Sequence, residues 1–125
     1  MNMKKLLLLV LIVLISNVVF SQENKASEEK YTYAVIIGTQ SYLYDEFKVE
    51  LDFGANFISK DKKESKFKSL IDALNFVSAY NWSLDKTYVN TYEKMNKSIH
   101  YWVIKKVVFK NQDTEKKEIL AKFYE

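Results

Sequence analysis

The chain carries one histidine and no cysteine, so the side chains able to do nucleophilic or metal chemistry are few. His100 sits in "SIHYW", between apolar neighbours, on a stretch that reads as a strand. An imidazole acts as general base only beside a nucleophile, with an acid to orient its ring. The sequence neither supplies nor excludes such neighbours, and a lone strand histidine reads as a structural residue. A metal site would have to rest on carboxylates and that one imidazole, and the acids show no ligand spacing such as a calcium loop. Only Gly38 and Gly54 are present, which leaves no glycine-rich phosphate loop. No cofactor is expected.

Two tripeptides, "NWS" (81–83) and "NKS" (96–98), match the acceptor pattern for N-glycosylation. Such tripeptides recur by chance, and Asn81 has a structural task described below. The remaining chemistry is aromatic. Nine Tyr, eight Phe and two Trp can stack sugars or anchor a partner protein when they lie on a sheet face, and otherwise form the core of a small domain.

The elements that position these residues begin after the N-terminus. Lys4 and Lys5 precede the unbroken apolar run "LLLLVLIVLI" (6–15), and "SNVVFSQ" follows. This order of basic, apolar and small residues predicts a secretory signal peptide over 1–21, cut between Ser21 and Gln22. The rival reading is an uncleaved membrane anchor. A spanning helix wants about 20 predominantly apolar residues, and Ser16 and Asn17 interrupt the run. With no cysteine, the chain is not a lipid-anchored lipoprotein.

Removing 21 of the 125 residues leaves 104, enough for one domain. An exported domain without disulfides must be held by its hydrophobic core. Loss of Lys4 and Lys5 leaves 17 lysines against 16 acids, a net charge of +1. That is too little positive charge for a nucleic-acid partner.

After a polar leader, "QENKASEEK" (22–30), the domain is expected to run from 31 to 125. "YTYAVII" (31–37) reads as a strand apolar on both parities, ended or bulged at Gly38. "FKVELDF" (47–53) alternates cleanly and is closed by Gly54. "SKDKKESKFK" (59–68) reads as a charged, solvated loop.

Ser69 followed by Asp72 resembles a capping box. Leu70, Ala73, Leu74, Val77 and Tyr80 then form one apolar stripe, predicting a helix over about 70–80. Asn81 suits the left-handed residue that ends a helix, and Trp82 opens the next strand. "WSLDKTYVNTY" (82–92) alternates in part. "SIHYWVIKKVVF" (98–109) is apolar on both parities, as in a strand covered on both sides. "DTEKKEILAKFYE" (113–125) predicts a short amphipathic helix with an Asp or Thr cap.

The expected fold is therefore α+β: a small four-stranded, largely antiparallel ββαββ sheet, one main helix on a face and a short C-terminal helix. Two-sided strands belong in the centre, giving the order 2-1-4-3. The main helix is expected over Val49, Leu51, Leu84 and Tyr88. The opposite face is expected to carry an apolar strip of Ala34, Ile36, Trp102, Ile104 and Val108, covered by residues 113–125 as a lid or used to bind a partner.

"VIIGT" (35–39), "KVELDFG" (48–54), "FKSLIDALNF" (67–76), "NW" (81–82) and "HYWVIKK" (100–106) resemble the small exported uncharacterised proteins of Bacteroidetes. Those show a "DFG" strand end, an "FxSxxDALN" helix start, a "GW" joint and a "YxWLLxK" strand. Asn81 replaces the glycine of the joint. The resemblance implies a compact α+β domain in the periplasm or outside the cell, and no activity.

The function expected from these readings is a non-enzymatic interaction or envelope-associated module. Its partner would be a protein or envelope component, with no membrane contact after signal cleavage. The alternative is a small hydrolase or enzyme inhibitor. A concave pocket would favour the alternative, and a flat apolar patch or an open sheet edge would favour the module.

Overall fold

The computed structural model describes residues 2–5, 29–57 and 64–125. Ser21 and Gln22 lie outside the described residues. The chain divides into two units, Met1–Lys30 and Tyr31–Glu125. In the first, residues 3–5 are helical, and no described helix is long and apolar enough to cross a membrane.

The second unit is an α+β domain. Its strands are β1 (Tyr31–Ser41), β2 (Glu46–Asp52), β3 (Ser83–Tyr92) and β4 (Lys97–Val107), and its helices are α1 (Leu70–Ser78) and α2 (Gln112–Phe123). All pairings are antiparallel and the order is β2-β1-β4-β3. The two strands with apolar residues on both parities are indeed the central ones.

Local chemistry accounts for α1. The Ser69 hydroxyl accepts the Asp72 amide at 3.1 Å, which satisfies one of the helix's orphan donors. Asp72 also lies in the first turn, at the positive end of the helix dipole. At the other end Asn81 adopts φ 68°. Its amide donates to the Ser78 carbonyl at 2.9 Å and the Trp82 amide to the Val77 carbonyl at 3.3 Å, the paired bonds of a Schellman closure. Trp82 is thereby turned inward and is 2% exposed.

Gly38 neither ends nor bulges β1. It pairs with Val49 on one side and His100 on the other, mid-strand. A Cβ there would lie 2.7 Å from Phe47 Cζ and 3.0 Å from Leu70 Cδ2. The glycine is thus required by the side chains above it, not by its backbone.

Both helices cover the same face. The register places Ile36 opposite Leu51 and Trp102, and Ala34 opposite Ile104, so the expected second-face strip shares a face with Val49 and Leu51. One buried cluster joins Ala34, Ile36, Val49, Leu51 and Ile104 to Leu70, Ala73 and Val77 of α1 and to Ile119 and Phe123 of α2. Trp102 packs against it half-buried, and Val108 is exposed beyond β4. Contact between the Phe67 and Phe123 rings, with centroids 4.8 Å apart and planes tilted by 43°, ties the segment before α1 to α2.

Of the two β3 residues expected on the face under α1, Leu84 lies on it and Tyr88 does not. The register of β3 slips between Leu84 and Lys86, and this bulge adds one residue and reverses the parity of all that follows. Leu84 stays opposite Ile104 at the sheet margin, whereas Tyr88 emerges on the other face opposite Tyr101. Both are exposed.

The C-terminal helix, with 12 residues, is longer than the 9-residue α1. It starts at Gln112 after Asn111 in a left-handed conformation, with no side-chain cap from Asp113 or Thr114. Lys106 of β4 holds both helices to the sheet. Its Nζ donates to the Tyr80 carbonyl at 2.6 Å and pairs with Glu115 Oε1 at 2.7 Å.

Candidate binding surface

Both helices lie on one side of the sheet, and among the described residues of this domain no element packs on the other side. The register assigns to it Tyr33, Val35 and Ile37 of β1 and Ile99, Tyr101 and Val103 of β4. Past the bulge, Lys86, Tyr88, Asn90 and Tyr92 of β3 join them. Tyr33 is 53% exposed and Tyr88 48%. Tyr88 and Tyr101 stack with centroids 4.8 Å apart and planes 18° from parallel. Offset stacking fixes two rings in one orientation, which makes a rigid aromatic platform.

Charge frames this platform. Lys105 Nζ lies 4.6 Å from the Tyr31 ring centroid and 3.4 Å from Asp85 Oδ1. At the opposite margin Lys48, Glu50 and Asp52 of β2 face the same side, opposite Thr39, Ile37 and Val35. An apolar centre with a charged rim is the layout of a recognition surface.

A cleft of about 940 Å³ follows β2 and includes Phe47, Phe57, Phe67, Leu120 and Tyr124 among its walls, together with Glu46, Lys48, Glu50 and Lys68. Two backbone groups of β2 are occupied there. Ser65 Oγ donates to the Val49 carbonyl at 2.7 Å, and the Leu51 amide donates to the Tyr124 hydroxyl at 3.0 Å. Burial raises the Tyr124 pKa above its ordinary value of 10.0, the Leu51 amide pulls it back, and Glu50 and Asp52 raise it further. The hydroxyl keeps its proton at neutral pH and serves as a strand cap.

The charged-loop reading of 59–68 changes at its end. Ser65 is buried and Phe67 packs against the core; residues 58–63 lie outside the described residues. Nothing local marked Ser65 as an edge cap, because its partner strand lies 16 positions earlier.

His100 lies on the helix-covered face, between Gly38 and Val89. Its ring sits edge-on to Phe47, with centroids 6.4 Å apart. Among the described residues, no hydrogen bond links it to a hydroxyl or carboxylate, and no group of three His, Cys, Asp or Glu is placed to hold a metal ion. Ile36 and Ile104 of the expected strip are fully buried, and the exposed Tyr33 and Tyr88 lie on the other face.

Comparison with protein-family models, with curated proteins and with solved structures finds no match to this chain.

Proposed function

We propose that the chain is exported, loses residues 1–21, and acts as a non-enzymatic interaction module that binds a protein or envelope component through the uncovered sheet face. The observation that carries this reading is the Tyr33–Tyr88–Tyr101 surface. Large aromatic side chains left in water on a rigid sheet cost the free protein solubility and are energetically productive when a partner covers them.

The test has two parts. Intact-mass analysis of exported protein should give a chain starting at Gln22, and retention of residues 1–21 overturns the export reading. Exported protein should also co-sediment with a purified envelope fraction from the producing cell. Tyr33→Ser and Tyr88→Ser should lose this while Lys117→Ser, on the exposed side of α2, keeps it. Equal sedimentation of all variants, or none by the native protein, overturns the binding reading.

The cleft along β2 supports a second reading, a small hydrolase or enzyme inhibitor. Turnover of an ester, peptide or glycoside panel, abolished by His100→Ala in a folded protein, would establish hydrolysis in place of binding.

A further inference from the structure

The two edges of the sheet are finished differently. On β2, outward backbone groups are capped by Ser65 and Tyr124. On β3, all ten residues are exposed, and among the described residues the backbone of 86–92 makes no hydrogen bond beyond its ladder to β4. Val89, on the helix-covered side, is 52% exposed, so both faces and the edge of this strand meet water. Its sequence "TYVNTY" (87–92) has no charge, proline or glycine. Such a segment is a template for strand addition, which proteins ordinarily blunt.

We propose that β3 is the pairing edge for a second copy of this chain. The copies join β3 to β3 antiparallel, about a two-fold axis normal to the sheet, and form one continuous eight-stranded sheet from two four-stranded ones.

The register follows from symmetry and charge. An axis normal to the sheet keeps each face on its own side, so some residue must oppose its own copy. Centring on Asn90 would pair only 88–92, because the partners of Thr87 and Lys86 would be Glu93 and Lys94 in the turn after β3. Centring on Tyr88 would force Thr91 and Tyr92 against Asp85 and Leu84 across the bulge. Centring on Val89 uses the whole regular stretch 86–92, with Tyr88 opposite Asn90, Thr87 opposite Thr91 and Lys86 opposite Tyr92. Threonine pairs and a lysine over a tyrosine ring are favourable cross-strand neighbours. Asp85, engaged by Lys105 at 3.4 Å, and Glu93, in the turn after β3, lie just outside this ladder.

This inference rests on the backbone edge of β3, whose Lys86, Tyr88, Asn90 and Tyr92 also border the proposed binding face, and it does not depend on that reading. Pairing would set two aromatic platforms side by side on one sheet.

The chain has no cysteine, so a single Val89→Cys variant of the exported protein reports on the two-fold directly. Opposed Cα atoms in an antiparallel pair are about 4.5–5.5 Å apart, within the span of a disulfide. Under mild oxidation Val89→Cys should become a covalent dimer far faster than Lys117→Cys. Sedimentation velocity should give a dimer mass for the native protein and a monomer mass for Val89→Lys, with circular dichroism unchanged; Thr91→Lys is the second blocking variant. A native monomer at all concentrations, equal crosslinking of the two cysteine variants, or a dimer that survives both lysines overturns the proposal. Tyr33→Ser should leave the dimer intact, so failure of the envelope reading and failure of this one are read separately.

Discussion

Replacing Phe123 by alanine asks whether α2 is part of the core or a lid upon it. Phe123 has no exposed surface. Its ring meets Phe67 at 4.8 Å, Tyr124 at 5.0 Å and Phe76 at 6.1 Å between centroids, so it bridges the approach to α1, α1 itself and the chain's end. Truncating a fully buried phenylalanine costs about 3–5 kcal/mol through lost transfer free energy and the cavity left behind. A domain of this size has roughly 5–15 kcal/mol in all, so this one change should remove a large fraction of its stability. Leu74, half-buried on α1, should lose less on truncation, about 1–2 kcal/mol. Urea unfolding followed by tryptophan fluorescence measures both, since buried Trp82 reports on the same core. The expected outcome is a single transition, an unchanged m-value and a lower midpoint, with Phe123→Ala well below Leu74→Ala. A cost under about 1 kcal/mol, or a separate early transition confined to α2, would refute the reasoning and restore residues 113–125 as a reversible lid.

Three further outcomes are expected. Ser69→Ala should cost about 1 kcal/mol through loss of the helix cap, measured by the same urea melts, with an unchanged midpoint counting against the cap. Gly38→Ala should cost about 1–3 kcal/mol, because the new methyl must displace the Phe47 ring, and a crystal structure or the melt midpoint would show an accommodated methyl if this is wrong. Tyr124 has its pKa raised on folding, chiefly by burial. Above pH 10 the unfolded chain therefore releases this proton first, so the associated stability is complete below pH 10 and lost as pH climbs through the folded value. Tyr124→Phe should flatten this alkaline decline, while leaving the Leu51 amide without its acceptor at every pH.

Local features carried a large part of the fold. Strand periodicity located all four strands, and the contrast between one-sided and two-sided strands placed β1 and β4 in the centre. Ser69, Asp72 and Asn81 marked the ends of α1, because caps act within a turn and are written in adjacent residues. The inward aim of Trp82 followed from that joint.

Decisions that depend on distant residues were made only by the tertiary structure. Gly38 looked like a strand end, but its reason is Phe47 and Leu70 arriving from elsewhere in the chain. Parity along 82–92 read as continuous, yet the bulge at Asp85 sends Tyr88 to the opposite face, since one inserted residue inverts every later side chain. The sequence likewise assigned the two helices to opposite faces, whereas the pairing of Ile36 with both Leu51 and Trp102 puts the Val49–Leu51 strip and the Ala34–Ile36–Ile104 strip on the same face. The caps on β2 come from Ser65 and from Tyr124, the latter 73 positions from the amide it accepts. Periodicity states which residues share a side of their own strand. Only the register between strands states which sides coincide, and so which aromatic residues the sheet buries and which it presents.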